Sequence, residues 1–152
     1  MKTLRFIGMA LLAVVLSVNF AACSEEKDDD DDVVALLTSA AWRKDSSDDV
    51  FTFSKDGTGF WYNRLEDYRN GLKVGYSFKW TYANGVANVE IQYKHYSDGS
   101  ASDYEKGYTE VWTVLSSNKT QVVFDVYSRI TDEDDPEYGY VDTSIMTLTR
   151  ID

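Results

Sequence analysis

The chain has one proline, one histidine and one cysteine in 152 residues. One cysteine excludes a disulfide within the chain and any zinc site built from several thiolates. One histidine, His95, excludes paired-histidine metal motifs. One proline, Pro136, leaves β-ladders free of the gaps that proline makes. Basic residues are scarce too: 15 Lys and Arg stand against 26 Asp and Glu, a net charge of −11. So acidic a chain is repelled by nucleic acid and by anionic bilayers, and neither is expected as a partner. No Gly-rich phosphate loop, no Gly-x-Ser-x-Gly and no recognisable Ser, His and acid motif occurs, so no enzyme activity and no cofactor is expected.

A run of membrane-spanning length is also missing. Phe6 to Phe20 is apolar for only 15 residues and is broken by Ser17 and Asn19. Behind Lys2 and Arg5 it has the form of a signal-peptide core, which puts a removable leader at 1–22. It ends at Phe20-Ala21-Ala22-Cys23, which resembles a bacterial lipobox, where the cysteine receives lipid and becomes the mature N-terminus. Cys23 is therefore the expected lipid anchor. Glu25, Glu26 and Asp28 to Asp32 follow, with Lys27 the one base among them. Charges this dense repel one another and bury nothing, so 23–32 reads as an extended, solvated tether. The segment also resembles the acidic export signal of surface lipoproteins. Outer-membrane anchoring with exposure at the cell surface is the expectation.

What is abundant after residue 32 is aromatic: the four Trp and eleven Tyr all lie there. Val33–Ser39 reads as a short helix. Eight strands are expected beyond it, over 40–44, 50–54, 58–63, 74–82, 86–94, 107–116, 120–129 and 139–150. Tyr76, Phe78, Trp80 and Tyr82 alternate with Ser77, Lys79 and Thr81. Val89, Ile91 and Tyr93 alternate with polar residues, and Val122, Phe124 and Val126 share one face, the pattern of sheets wet on one side. In 107–116 both faces carry bulky residues, and either face can point inward. Asp56-Gly57, Asn84-Gly85 and Ser117-Asn118 supply tight hairpin turns. Consecutive hairpins make a meander, and eight antiparallel strands in a meander close most simply into a barrel. A β-sandwich is the alternative.

Leu36-Leu37, Trp42, Phe51-Thr52-Phe53, Asp56-Gly57-Thr58-Gly59, Trp80-Thr81-Tyr82 and Thr147-Leu148-Thr149-Arg150 resemble the lipocalin-like domains of small secreted bacterial lipoproteins. The resemblance spans 33–152. It implies an up-and-down barrel closed where the first strand meets the last, with Arg150 lying across Trp42.

In such a meander the longer links fall on one rim. They carry Arg64, Tyr68, Arg69, His95, Tyr96, Tyr104 and Tyr138, a mixture of rings and charges suited to recognition, and these are the candidate ligand or partner residues. His95 alone is better explained as an exposed loop imidazole than as a general base. The acidic loop Thr131 to Glu137 lacks the ligand order of an EF-hand and is expected to bind no metal. The expected function is a lipid-anchored, monomeric binding module that takes a small apolar or amphipathic ligand or a glycan at this rim. The alternative is an interaction or structural envelope protein that meets a protein partner, its barrel filled by its own side chains. The bulk of the inward residues favours a filled or nearly filled interior.

Overall fold

The computed structural model describes residues 29–129, 133, 134 and 136–152. The expected leader and anchor, including Cys23, lie outside the described residues, as do Ile130, Thr131, Asp132 and Asp135. The elements run α1 (Asp29–Thr38), β1 (Ala41–Lys44), β2 (Val50–Phe53), β3 (Thr58–Tyr62), α2 (Leu65–Arg69), β4 (Gly75–Ala83), β5 (Val86–His95), β6 (Ala101–Ser102), β7 (Thr109–Asn118), β8 (Gln121–Arg129) and β9 (Val141–Arg150).

All strand pairs are antiparallel. β1 pairs with β9 and β4 with β5, so eight strands close into an up-and-down barrel, and the sandwich alternative falls. The two-residue β6 extends the sheet beyond the end of β5. Hairpin chemistry sets the closed end: Asn84 (φ 53) and Gly85 (φ 77) take the positive angles that a two-residue turn requires. The Asp56 carboxylate accepts the Thr58 N–H at 2.9 Å, and the Asn118 amide oxygen accepts the Thr120 N–H at 2.9 Å. The links after β1, β3, β5 and β8 lie at the opposite end.

α1 corrects the reading of 23–32 as wholly extended. Asp29 to Asp32 form the first turn of the helix, where the Asp30, Asp31 and Asp32 carboxylates meet the positive end of the helix dipole. The Asp30 carboxylate accepts the Asn84 N–H at 2.6 Å and the Gly85 N–H at 2.9 Å, fixing the helix to a hairpin turn. One turn apart, Val33 and Leu37 are buried in the main core. The Trp42 indole N–H donates to the Leu37 carbonyl at 3.0 Å. α1 therefore stops the closed end.

Above that stop the barrel is filled. Trp42, Phe51, Phe53, Phe78, Trp80, Trp112, Phe124 and Leu148 form one buried cluster, with Phe53 against Trp80 at 5.1 Å and Phe51 against Trp112 at 5.4 Å. Gly59 makes room for this packing: a Cβ there would come within 2.2 Å of the Phe78 ring. A second, smaller cluster lies on the outer wall. Ala41, Val50, Phe60 and Tyr62 are covered by Leu65, Tyr68 and Ile151, so α2 lies outside the barrel. The link between β3 and β4 was expected to be a plain loop. Acids in the first turn of α2 and Arg69 in its last suit the helix dipole instead.

Tyr93 was expected inside and is outside. Ser77 pairs with Tyr93 but Phe78 with Ile91, so Gln92 is an extra residue in β5. A bulge moves every later side chain to the other face, leaving Tyr93 exposed and Lys94 paired with the inward Tyr76. The undecided strand is settled by register: Glu110 pairs with Ser128, Trp112 with Val126 and Val114 with Phe124, so Glu110, Trp112 and Val114 point in.

Candidate functional site: the open end of the barrel

Register partners share a face. At the open end the inward positions change from apolar to polar. Leu148 and Met146 on β9 give way to Ser144 and Asp142, and Trp112 on β7 gives way to Glu110. The change leaves two adjoining hollows. One, of about 220 Å³, is lined by Trp61, Tyr76, Ile91, Glu105 and Tyr108. The other, of about 140 Å³, runs from the buried Phe51 and Met146 past Lys44, Trp61, Tyr108, Glu110 and Ser128 out to the exposed Asp142 and Ser144. Trp61 and Tyr108 line both.

Glu110 organises the second hollow. Its carboxylate accepts the Trp112 indole N–H at 2.6 Å, the Tyr108 hydroxyl at 3.2 Å and the Ser128 hydroxyl at 3.3 Å. Burial raises the Glu110 pKa above the usual glutamate value, and these three donors together with Lys44 partly offset it. Tyr108 is pushed up to about 12, chiefly by burial. Nearer the mouth, Lys94 Nζ donates to Glu105 at 3.2 Å and lies 5.4 Å from the centre of the Tyr76 ring. The hydrogen bonds to Tyr76 and Glu105 raise the Lys94 pKa. Trp61 lies against Phe51 and Tyr76, at 5.2 Å from each, and its indole N–H is buried with no hydrogen-bond partner. Aromatic faces, fixed acceptors and an unpaired donor around a small hollow are groups of the kind that can hold and orient a molecule.

The residues expected to form the rim divide. Tyr96, Tyr104 and Tyr138 are exposed on the long links of the open end, and Arg64 and Arg69 flank and end α2, also exposed. Tyr68 belongs to the outer wall: it packs on Tyr62 at 5.3 Å and its hydroxyl donates to the Asp152 carboxylate. His95 follows the β5 bulge to the outer face, 5.3 Å from the Phe60 ring and 2.9 Å from the Ser77 hydroxyl. The two are drawn out of the mouth by α2 and by the bulge. Trp42 and Arg150 are register partners where β1 meets β9. The expected stack is replaced, however. Arg150 is exposed and its Nε donates to the Asp152 carbonyl at 2.6 Å, while Trp42 is held by Leu37. No cation–π contact joins Arg150 to Trp42 among the described residues. No group of three or more potential metal ligands occurs among the described residues, and part of 131–137 lies outside them.

Sequence reasoning missed Glu110 and Lys44 as site residues. The available signal was Glu110 two positions before Trp112: once Trp112 is inward, an acid at that spacing is inward too.

Comparison with protein-family models, curated proteins and solved structures finds no match.

Proposed function

We propose that this protein is a lipocalin-like envelope lipoprotein carried on Cys23 at the outer membrane and exposed at the cell surface. Its barrel is then a monomeric, non-enzymatic module that takes a small amphipathic ligand at the open end. The observation that carries this reading is the contrast within one interior: apolar packing below, and hollows above with charged and aromatic side chains turned into them. Small barrels are ordinarily filled, and a hollow kept beside oriented polar groups is the usual form of a ligand site. Because α1 joins the barrel at its closed end, a tether running back to Cys23 leaves the mouth facing away from the membrane.

Native mass spectrometry of the full chain, extracted from membranes in mild detergent, tests the reading. The expected result is a monomer carrying a small molecule, with Ser144→Phe, which fills the second hollow, losing it. Cys23→Ala should appear in the soluble fraction. A bare chain, or equal retention by the variant, contradicts the binding reading. It would favour the second one, in which the barrel presents its wall to a protein partner. The observation behind that alternative is the outer face of β8 and β9, where Tyr127, Val141 and Ile145 are 41%, 45% and 64% exposed.

A further inference from the structure

We infer that the ligand taken at this mouth is a neutral saccharide, with one sugar ring against Trp61 and its hydroxyls on the polar groups around it. The inference rests on the binding reading above and follows from which polar groups are already occupied. Two carboxylates are taken: Glu110 by three donors, Glu105 by Lys94 and by the Tyr76 hydroxyl at 3.5 Å, while Asp142 accepts, among the described residues, the Thr143 N–H alone and keeps acceptor capacity. Two donors are also without partners. The Trp61 indole N–H is buried without a partner, and the Lys44 side chain makes no ion pair or hydrogen bond among the described residues. A buried donor left unpaired is costly, and an incoming acceptor removes the cost.

An ammonium ligand offers donors only, and Lys94 already covers the Tyr76 ring. An anion offers acceptors but must enter a chain of net charge −11 and settle beside Glu110 and Asp142. An acyl chain finds no apolar channel, because the lower barrel is packed and the hollows above it are lined by Lys44, Glu105, Glu110 and Asp142, which such a chain would leave desolvated and unpaired. A sugar hydroxyl both accepts and donates, so it can meet Trp61 and Lys44 on one side and Asp142 and Ser144 on the other. The C–H face of the ring supplies the apolar surface that an indole packs against.

Isothermal titration of the full chain with glucose, galactose, mannose and N-acetylglucosamine, each neutral, tests the assignment. Glucuronate and glucosamine serve as the charged counterparts. At least one neutral sugar is expected to bind, with both charged sugars about tenfold weaker or worse. Trp61→Phe keeps a ring and loses the N–H, and should weaken that binding about tenfold, as loss of one buried hydrogen bond does. Lys44→Met should weaken it as well, and unchanged melting temperatures show that both variants fold. Equal or tighter binding of glucuronate or glucosamine overturns the inference, as does full affinity in Trp61→Phe. If no sugar binds while native mass spectrometry still finds a ligand lost in Ser144→Phe, the saccharide is wrong and the site stands. If neither is seen, both readings fail together.

Discussion

The two ends of this barrel are made by the same strands and differ in what those strands turn inward. At the closed end Trp42, Phe53, Phe78, Trp80 and Leu148 interlock under α1, and the buried indole N–H groups have carbonyl partners. At the open end the same β7 and β9 present Glu110, Asp142 and Ser144, and the Trp61 N–H has none. The closed end resembles a domain core, close-packed and satisfied. The open end keeps space, charge and an unpaired donor, which stability alone does not favour. On the proposed reading, a division of labour between the ends accounts for both: one holds the fold, the other is left unfinished for a ligand.

Truncation is the harshest test of the division. Phe124→Ala at the filled level should cost about 3–5 kcal/mol in urea denaturation, whereas Ser144→Ala in the mouth should change stability by about 0.5 kcal/mol or less. Similar losses at both positions would erase the contrast. Smaller effects are expected from the stop at the closed end. Asp30→Ala removes two hydrogen bonds to the Asn84-Gly85 turn and should cost about 1–2 kcal/mol. Faster amide exchange should then appear in α1 while β7 and β8 stay protected. No change in α1 would mean that the carboxylate clamp does not hold the helix.

The finest test is pH. Glu110 holds its proton more tightly in the folded chain than at the usual glutamate value of 4.5. Between the unfolded and folded values the native state binds more protons, so stability falls as pH rises through that window and the penalty stays in place above it. Below 4.5 the penalty is absent. The melting temperature of the wild type should therefore drop relative to Glu110→Gln between pH 4 and neutrality. A constant difference across that range would show that the Glu110 pKa is not raised.

The closed end was the legible part of the sequence. Alternation in β4 and β8, the Asp-Gly and Asn-Gly turns and the apolar Leu36-Leu37 pair all act locally, within a few residues, and the meander follows from them. The open end was hidden because long-range register decides it. One extra residue, Gln92, turns Tyr93 and His95 outward and Lys94 inward, and a period-two reading continued past the bulge inverts all three. The face of β7 became known only once Trp112 was paired with Val126. Asp29 to Asp32 read as spacer because like charges oppose local order. Their place in α1 depends on the backbone N–H groups of a turn more than fifty residues away. Tyr68 left the expected rim for a similar reason, since its partner is Asp152 at the far end of the chain.

The four indole N–H signals of the full chain in detergent micelles, followed by two-dimensional NMR during titration with the neutral sugar that binds tightest, test the central claim most directly. Each tryptophan reports one level: Trp42 and Trp80 the closed end, Trp112 the floor of the chamber and Trp61 its wall. The account predicts a large downfield shift of the Trp61 N–H as it gains an acceptor, a smaller shift at Trp112 through Glu110, and none at Trp42 or Trp80. Shifts at Trp42 and Trp80, with Trp61 unmoved, would contradict it.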